Sequence, residues 1–277
     1  MPVIEPIDEK LKELAGIHLW HAPLSSCSQR VRITLAEKGL AYESHLIDLH
    51  AGENASEEYQ RIHPKGLVPA IVIDGELIIE SVDIISELER RFPQPSLTAT
   101  GAKAEAKMQT VMQRADNAQA ALKLLTFEFL FRAAPPPSQE SASAFQRNHK
   151  NEALTKFHRD FAAGFERERV RSAASDAHAD FLFLDELLSD GRAFLCGSVF
   201  SLADTAWMPN FHRFELIGWP LQRYPNLMRW SQRVKQRPSY QAGLMDWEPA
   251  GFAKMLKPKQ EERVRAGDGP ETYIPDS

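Results

Sequence analysis

The sequence predicts a compact α/β domain with a mixed sheet, followed by an all-α helical domain. Two observations lead to this fold class. Strand and helix patterns follow one another as β-α-β-α-β-β-α over about 80 residues near the N-terminus, and only helical patterns follow Ala99. A polar turn, residues 25–32 with the sequence SSCSQRVR, lies where the first strand passes into the first helix. We therefore expect the functional site in the first domain, around this turn.

The elements of the first domain follow from apolar spacing and from turn residues. Gly39 is a typical helix stop, and Asp74-Gly75 between two apolar runs predicts a two-residue hairpin. Ser81 is expected to be the N-cap of a helix with one apolar face, which ends before Pro93. The predicted elements are a leader helix or loose arm over 1–15, strands over 17–21, 42–49, 70–73 and 76–79, and helices from about 26 to 38, 51 to 62 and 81 to 92.

The second domain is predicted to be helical because apolar residues recur at helical spacing from Ala102 onward. Ser201-Leu202-Ala203-Asp204 matches the capping box ahead of an apolar helix. The predicted elements are a long helix from 102 toward 131, a break at Pro135-Pro136-Pro137, an exposed insertion over 138–150, a long helix from about 151 to 188, helices after Ser201 and over 225–237, and a flexible or wrapping extension from Pro258.

Composition limits the classes of partner. Hydrophobic residues make up 43% and charged residues 26% of the 277-residue chain, which is ordinary for a globular protein. The formal net charge of −5, without a basic cluster, argues against nucleic acid as a partner. The N-terminus lacks a signal-peptide pattern, and no apolar run has the length of a membrane span. Two cysteines, Cys27 and Cys196, provide no disulfide framework, so a cytoplasmic location is expected.

The polar turn has the chemistry of an anion or thiolate site. Unpaired N–H groups and the positive end of the helix dipole meet at the helix start that follows Ser25. Farther along, the Val68-Pro69 bond enters a strand from a loop and is a candidate cis peptide bond. In such a turn the main chain of Val68 is expected to face outward and to pair with an extended, peptide-like ligand.

Four motifs in this order give the chain a family resemblance. They are residues 25–33 (SSCSQRVRI), Val68-Pro69, Glu80-Ser81 and Ser201–Asp204, and together they resemble the cytosolic glutathione transferase superfamily over residues 16–250. The resemblance implies a thioredoxin-like domain over 16–97 after a leader over 1–15, an all-helical substrate domain over 102–250 with an insertion near 133–150, and a C-terminal extension over 251–277. It also implies a homodimer, although some related etherases pair unlike subunits.

The resemblance further implies glutathione as co-substrate and assigns roles to individual residues. Ser25 falls at the position that activates the thiol in serine-type classes, and Cys27 is the candidate for a second, thiol–disulfide exchange step. The γ-glutamyl carboxylate is expected at Glu80-Ser81, and the cysteinyl backbone against Val68 beside a cis Pro69. The residues expected to bind glutathione are therefore Lys65, Val68, Pro69, Glu80 and Ser81.

Several reactions are compatible with these residues. The first block is similar to the zeta class, which includes maleylacetoacetate isomerases, whereas the C-terminal half is similar to bacterial tetrachlorohydroquinone reductive dehalogenases. The length and the insertion are similar to bacterial β-aryl etherases. The expected function is attack of the glutathione thiolate on a small hydrophobic, aromatic electrophile, by conjugation, ether cleavage or reductive dehalogenation. The alternatives are a zeta-like cis–trans isomerase and a non-catalytic binding protein with this fold.

Structural roles compete with these functional ones. Ser25 alone is an ordinary helix cap, and Cys27 is as easily a small packing residue of the first helix. Arg30 and Arg32 are expected to be solvated or paired charges on that helix. No metal site is expected, because the nine histidines show neither an H-E-x-x-H motif nor Cys/His ligand spacing.

Overall fold

The computed structural model of the chain describes residues 3–133 and 138–275. Contacts divide these residues into two units. The first, here the sheet unit, comprises residues 3–95, 138–163 and 242–247. The second, here the helical unit, comprises residues 96–133, 164–241 and 248–275. The insertion that we expected within the helical domain thus has most of its contacts with the sheet unit.

A five-stranded mixed sheet forms the centre of the sheet unit. Its strands are β1 (Val3–Ile4), β2 (Ile17–His21), β3 (Glu43–Leu46), β4 (Ala70–Ile73) and β5 (Glu76–Ile79). The strand order is β1-β5-β4-β2-β3, with β2 and β3 parallel and the other neighbouring pairs antiparallel. The predicted hairpin is present, and Asp74 and Gly75 both have positive φ as the two-residue turn requires. Strands β2, β4 and β5 have the predicted bounds, while β3 is shorter than the strand predicted over 42–49.

The helices of the described chain follow the predicted order, but the long helix predicted from 102 toward 131 is divided in two at Ala118, and the last two helices were not predicted. The helices are α1 (Ser26–Glu37), α2 (Glu57–Ile62), α3 (Ser81–Arg91), α4 (Ala102–Asn117), α5 (Gln119–Phe129), α6 (Gln139–Asn148), α7 (Glu152–Ala163), α8 (Arg167–Leu187), α9 (Leu202–Leu216), α10 (Pro225–Val234), α11 (Pro238–Gly243) and α12 (Phe252–Arg265). The predicted break at residues 135–137 lies outside the described residues. The predicted insertion contains α6 rather than only loop, and Gly164, with φ +93°, separates α7 from α8.

The segments near both ends of the described chain are ordered. Of the leader helix or loose arm expected over 1–15, the structure has a short 3-10 helix over Glu9–Glu13. Val3 and Ile4 pair with β5, and Leu11 is buried in the core of the sheet unit. The edge of β5 has unpaired main-chain groups that this short strand satisfies. At the other end, α12 continues through Pro258, from which we expected a flexible or wrapping extension. Hydrogen bonds from Gln260 to the Leu216 carbonyl and from Arg263 to the Glu128 carbonyl hold that helix in place.

The helical unit has its own core, centred on α9. Trp207 and Trp230 are fully buried, and the carboxylate of Asp204 accepts hydrogen bonds from the Ser201 N–H and from the Trp230 indole N–H. The predicted capping box is thus present, and it also joins α9 to α10. Across the described part of the chain, no helix combines the length and the apolar character needed to cross a membrane.

Candidate functional site

Ser25 lies at the N-cap of α1 and is half-buried. Its hydroxyl oxygen accepts a hydrogen bond from the Ser28 N–H at 3.2 Å, and its main-chain oxygen accepts one from the Gln29 N–H at 2.8 Å. A serine hydroxyl that accepts in this way keeps its own proton for a further partner. The positive end of the α1 dipole lies at the same point. This arrangement can stabilise a negative charge next to Ser25.

The two cysteines have different environments, and neither forms a disulfide. Cys27 is half-buried in the first turn of α1, two residues after Ser25. Cys196 belongs to the helical unit, where burial and the neighbouring Asp204 raise the pKa of its thiol to about 11. Because the thiolate is the reactive form, Cys196 is inert at neutral pH. Cys27 is therefore the thiol to consider at the candidate site.

Arg32 holds the turn that precedes Ser25. Its guanidinium donates to the carbonyl oxygens of Ala22 at 3.2 Å, Pro23 at 2.8 Å and Gly243 at 2.9 Å. The Trp247 ring lies 4.7 Å from the guanidinium carbon, in the geometry of a cation–π contact. Burial lowers the pKa of Arg32 to about 10, so it remains a cation at neutral pH. This side chain positions the strand-to-helix turn, and its role was missed in the sequence.

His21, at the end of β2, is a neutral partner of the same arginine. Its Nδ1 accepts from the Arg32 guanidinium at 2.9 Å, and its Nε2 lies 2.8 Å from the Ser44 hydroxyl. Burial and the Arg32 charge lower the pKa of His21 to about 3. The imidazole is thus held in one tautomer, with Nδ1 as acceptor and Nε2–H as donor.

Of the two alternatives expected for Arg30 and Arg32, solvated or paired, the structure excludes the solvated one. Their exposed fractions are 0% and 1%, and Arg30 donates to the Ser81 hydroxyl at 3.1 Å. A buried guanidinium requires acceptors, and in α1 these come from distant segments that helical spacing does not reveal. The Arg30–Ser81 hydrogen bond joins α1, which begins at Ser25, to the start of α3.

The loop before β4 has its main chain available for a ligand. The Val68-Pro69 peptide bond is cis, as the sequence suggested. Tyr59 donates its hydroxyl to the Leu67 carbonyl at 2.6 Å, which fixes the loop one residue earlier. Within the described residues, the main-chain N–H and C=O of Val68 make no hydrogen bond. The main chain of an extended, peptide-like ligand could therefore accept a hydrogen bond from the Val68 N–H and donate one to the Val68 C=O.

Glu80 and Ser81 lie at the start of α3, although not in the predicted arrangement. The N-cap is Glu80, with φ +68°, and Ser81 is the first residue of the helix. Ser81 is buried, while the Glu80 carboxylate is 2.5 Å from the Lys65 ammonium. A non-glycine residue with positive φ is strained and often marks a functional position. The structure therefore brings Lys65, Glu80 and Ser81 together, with Arg30 behind them.

The insertion contacts the same loop. His149, between α6 and α7, is buried, and its Nε2 lies 3.1 Å from the Gly66 carbonyl oxygen. Asn151 donates to the Lys65 carbonyl at 3.3 Å, and the Asn54 amide donates to Gly66 at 2.9 Å. These contacts hold the main chain of residues 65–66. Nothing in the local sequence pattern pointed to this role of His149, because Gly66 and Asn54, its partners at the loop, lie more than 80 residues away in the chain.

Two family models match this chain. The model for the glutathione S-transferase N-terminal domain matches residues 24–91, and the model for the C-terminal domain matches residues 147–233. The chain belongs to the glutathione S-transferase family. It has the fold of that family, a thioredoxin-like domain with a small mixed sheet and a helical domain. The family consists of enzymes that use glutathione as co-substrate.

Individual relatives belong to several branches of this glutathione S-transferase family. Glutathione S-transferase Z2 of Arabidopsis thaliana is 28% identical over 85% of this chain and 93% of its own length. The tetrachloro-p-hydroquinone reductive dehalogenase of Sphingobium chlorophenolicum is 25% identical over 81% of this chain and 94% of that protein. A maleylacetoacetate isomerase of Pseudomonas aeruginosa is 47% identical, but over 27% of this chain and 37% of that protein.

A solved glutathione S-transferase structure supports the fold independently. The β-etherase LigF from Sphingobium sp. strain SYK-6 superposes with a TM-score of 0.75 at 24% identity, covering 82% of this chain and 98% of LigF. Since identity is this low, the likeness describes the fold of the transferase and not its substrate.

Proposed function

We propose that this glutathione transferase activates the glutathione sulfur at Ser25 and directs it at an electrophilic carbon of a small hydrophobic, aromatic substrate. The observation that carries the proposal is the hydroxyl of Ser25 at the N-terminus of α1, which accepts from the main chain and keeps a proton to donate. A hydrogen bond from that hydroxyl and the helix dipole both favour the thiolate. A thiol pKa lowered by one to two units corresponds to about 1.4–2.7 kcal/mol, which one hydroxyl and one dipole can supply.

Glutathione would lie along the loop and the start of α3. The free N–H and C=O of Val68 would pair with the cysteinyl backbone, beside the cis Pro69. The γ-glutamyl carboxylate would accept from the N–H groups at the start of α3 and from Ser81. Lys65 and Glu80, which pair with each other at 2.5 Å, offer one charge of each sign to the ionised ends of the tripeptide.

Cys27 would act only where the reaction is reductive. Its thiolate would attack the sulfur of a glutathione–substrate adduct, forming a mixed disulfide while the carbon–sulfur bond breaks. The electron pair of that bond would stay on the substrate carbon, which takes a proton, so the substrate is reduced by two electrons. A second glutathione would release Cys27 by exchange and leave as oxidised glutathione. The dehalogenase relative supports this option.

An isomerase is the second candidate function. It is favoured by the 47% identity to maleylacetoacetate isomerase over 79 residues. In that reaction glutathione would add to a conjugated enone, allow rotation and leave unchanged. The two candidates differ in glutathione consumption, because conjugation and reduction use glutathione and isomerisation returns it.

The test is calorimetric titration of glutathione into the wild type and into Ser25→Ala, with the ultraviolet absorbance of the thiolate recorded in parallel. We expect Ser25→Ala to lose the thiolate signal at neutral pH and to lower kcat/KM about ten- to a hundredfold. Ser56→Ala is the matched control, because Ser56 caps α2 by accepting from the Tyr59 N–H at 3.1 Å. If both variants lose activity equally, or if the wild type does not bind glutathione, the proposal fails.

Assembly and location follow the family pattern in this proposal. The enzyme would work in the cytoplasm as a homodimer, or as a heterodimer with a related subunit. Size-exclusion chromatography with light scattering on the purified chain distinguishes the homodimer from the heterodimer. A homodimer has the mass of two subunits, whereas a chain that pairs only with a different subunit has the mass of one when that subunit is missing.

A further inference from the structure

Three side chains with metal-binding atoms meet on one face of the sheet. His18 comes from β2, and Glu43 and His45 come from its parallel neighbour β3, where His18 is opposite Glu43. Residues two apart on a strand share a face, so His45 lies on the same side as both. His18 Nδ1 is 3.1 Å from His45 Nε2. One carboxylate oxygen of Glu43, Oε2, is 3.5 Å from His18 Nδ1, and the other, Oε1, is 3.6 Å from His45 Nε2.

Each of these separations is close to the distance between two ligand atoms of a tetrahedral zinc site. Zinc binds imidazole nitrogen at about 2.0–2.1 Å and carboxylate oxygen at about 2.0–2.2 Å, so two ligand atoms of a tetrahedral site lie about 3.3 Å apart. The three observed distances fall on both sides of that value. Because the two distances to Glu43 end at different carboxylate oxygens, an ion beside the two imidazole nitrogens would have both oxygens of Glu43 as possible ligands.

The two histidine rings are oriented by their surroundings. His18 Nε2 lies 3.1 Å from the Ala15 carbonyl oxygen, to which it donates its proton, and this leaves a lone pair on Nδ1. Histidines that bind metal ions usually donate their other ring N–H to a carbonyl or carboxylate in this way. His45 stacks on the Trp20 ring, with centroids 4.4 Å apart and planes 12° from parallel. The ligand set is therefore partly pre-organised.

The site is open to solvent on one side. The side chain of His18 is 9% exposed and that of His45 is 29% exposed, whereas that of Glu43 is 64% exposed. An ion can thus enter from solvent, and a water molecule can occupy the fourth position. Two imidazoles and one carboxylate suit Zn²⁺ and similar divalent transition metals better than Mg²⁺ or Ca²⁺, which prefer sets of oxygen ligands.

We propose that His18, Glu43 and His45 bind one Zn²⁺ ion on the face shared by β2 and β3. The ion cross-links the edge strand β3 to β2, its neighbour in the sheet. Since the three ligands lie together only in the folded chain, zinc binding stabilises the folded state. The zinc site involves neither Ser25 nor the loop over residues 65–69, so the zinc proposal is independent of the proposed function.

The test is a titration of ZnSO₄ into the tag-free full chain without glutathione or other thiols, because thiols bind zinc themselves. We expect one ion per chain, a higher Tm with zinc, and a loss of affinity of at least about tenfold in Glu43→Gln and in His45→Asn. Both side chains are at least partly exposed, so these variants should fold, which circular dichroism checks. His50→Asn, at an exposed histidine outside the cluster, is the matched control and should bind like the wild type.

Visible absorption of bound Co²⁺ provides a second measurement, since the band intensity distinguishes four-coordinate from six-coordinate cobalt. No binding by the wild type, or equal binding by the wild type and both cluster variants, would overturn the zinc site. Ser25→Ala separates the two proposals, because it should bind zinc normally while losing the glutathione thiolate signal. A chain that binds zinc but not glutathione would leave this inference standing and would remove only the proposed function.

Discussion

Three buried polar side chains of α1 differ in how their polar atoms are satisfied. Arg32 donates to main-chain carbonyls such as that of Pro23, and Arg30 donates to the Ser81 hydroxyl. The amide of Gln29 is fully buried, and neither its nitrogen nor its oxygen has a partner within the described residues. A buried amide without partners costs free energy, whereas buried arginines with several acceptors hold segments together. The same helix therefore carries one polar group that destabilises the fold and two that organise it.

Replacing Gln29 by leucine is expected to stabilise the protein. Gln29→Leu keeps a similar volume and removes two unsatisfied polar atoms, so the free energy of unfolding should rise by about 1 kcal/mol. The measurement is urea denaturation followed by circular dichroism. Gln60→Leu is the control, because the Gln60 amide bonds to the Ala55 carbonyl, the Asn148 carbonyl and the Lys150 N–H, and its loss should destabilise the protein. A Gln29→Leu variant less stable than the wild type would contradict the argument.

Contacts between elements decide the shape of the loop that precedes Val68. The segment between α6 and α7 contacts the Gly66 carbonyl through His149, and the Asn54 amide donates to the same carbonyl oxygen. Gly66, with φ +59°, leaves no room for a side chain, since a Cβ there would lie 2.6 Å from the His149 ring and 2.8 Å from the Asn54 carbonyl oxygen. The insertion thus supports the main chain that we propose to bind glutathione.

A comparison of Gly66→Ala with Gly39→Ala separates the effect of the close contact at Gly66 from the effect of positive φ, which the two positions share. Both glycines have φ near +60°, but a Cβ at Gly39 meets nothing within 4 Å. Each substitution should cost about 1–2 kcal/mol for the left-handed conformation, and Gly66→Ala should lose additional stability and weaken glutathione binding. Thermal denaturation and calorimetric titration measure the two effects. Equal losses in the two variants would mean that the contact with His149 contributes nothing.

Across the whole molecule, buried histidines link stability to pH in opposite directions. In the sheet unit, burial lowers the pKa of His21 to about 3 and that of His63 to about 4. In the helical unit, burial alone would lower the pKa of His212, but hydrogen bonds with Glu215 and Glu248 raise it overall. The contribution of neutral His21 and His63 to the free energy of unfolding is fully present above pH 6.5, and it is lost as the pH falls toward their folded-state pKa values. Stability from His212 is present below pH 6.5 and is lost as pH rises through its folded-state pKa.

The acid side of the profile provides a test of His21. Between about pH 6.5 and pH 4.5 the unfolded chain protonates this histidine and the folded chain does not, so the free energy of unfolding should fall by about 1.4 kcal/mol per pH unit from His21. His21→Gln should reduce that slope by a similar amount, while His50→Gln, at an exposed position, should leave it unchanged. Urea denaturation at several pH values gives the slope. A slope that is the same in His21→Gln and wild type would contradict the assignment.

The sequence by itself determined the elements whose signals are local. Alternation, the Asp74-Gly75 turn and the capping box at Ser201–Asp204 each depend on neighbouring residues, so strand, hairpin and helix start were predicted correctly. The four motifs taken together also led to the family, which the two domain matches confirm. The roles of Ser25, Cys27 and the predicted glutathione contacts stay predictions until the variants above are measured.

Only the tertiary structure decided which distant residues meet. It buried Arg30 and Arg32 among acceptors, added residues 3–4 to the sheet and placed His149 against Gly66. It also brought His18 together with Glu43 and His45 across two strands, although their separation in the chain matches no ligand motif. The physical reason is that burial and hydrogen bonding act between segments far apart in the chain, whereas helix, strand and turn preferences act over a few residues.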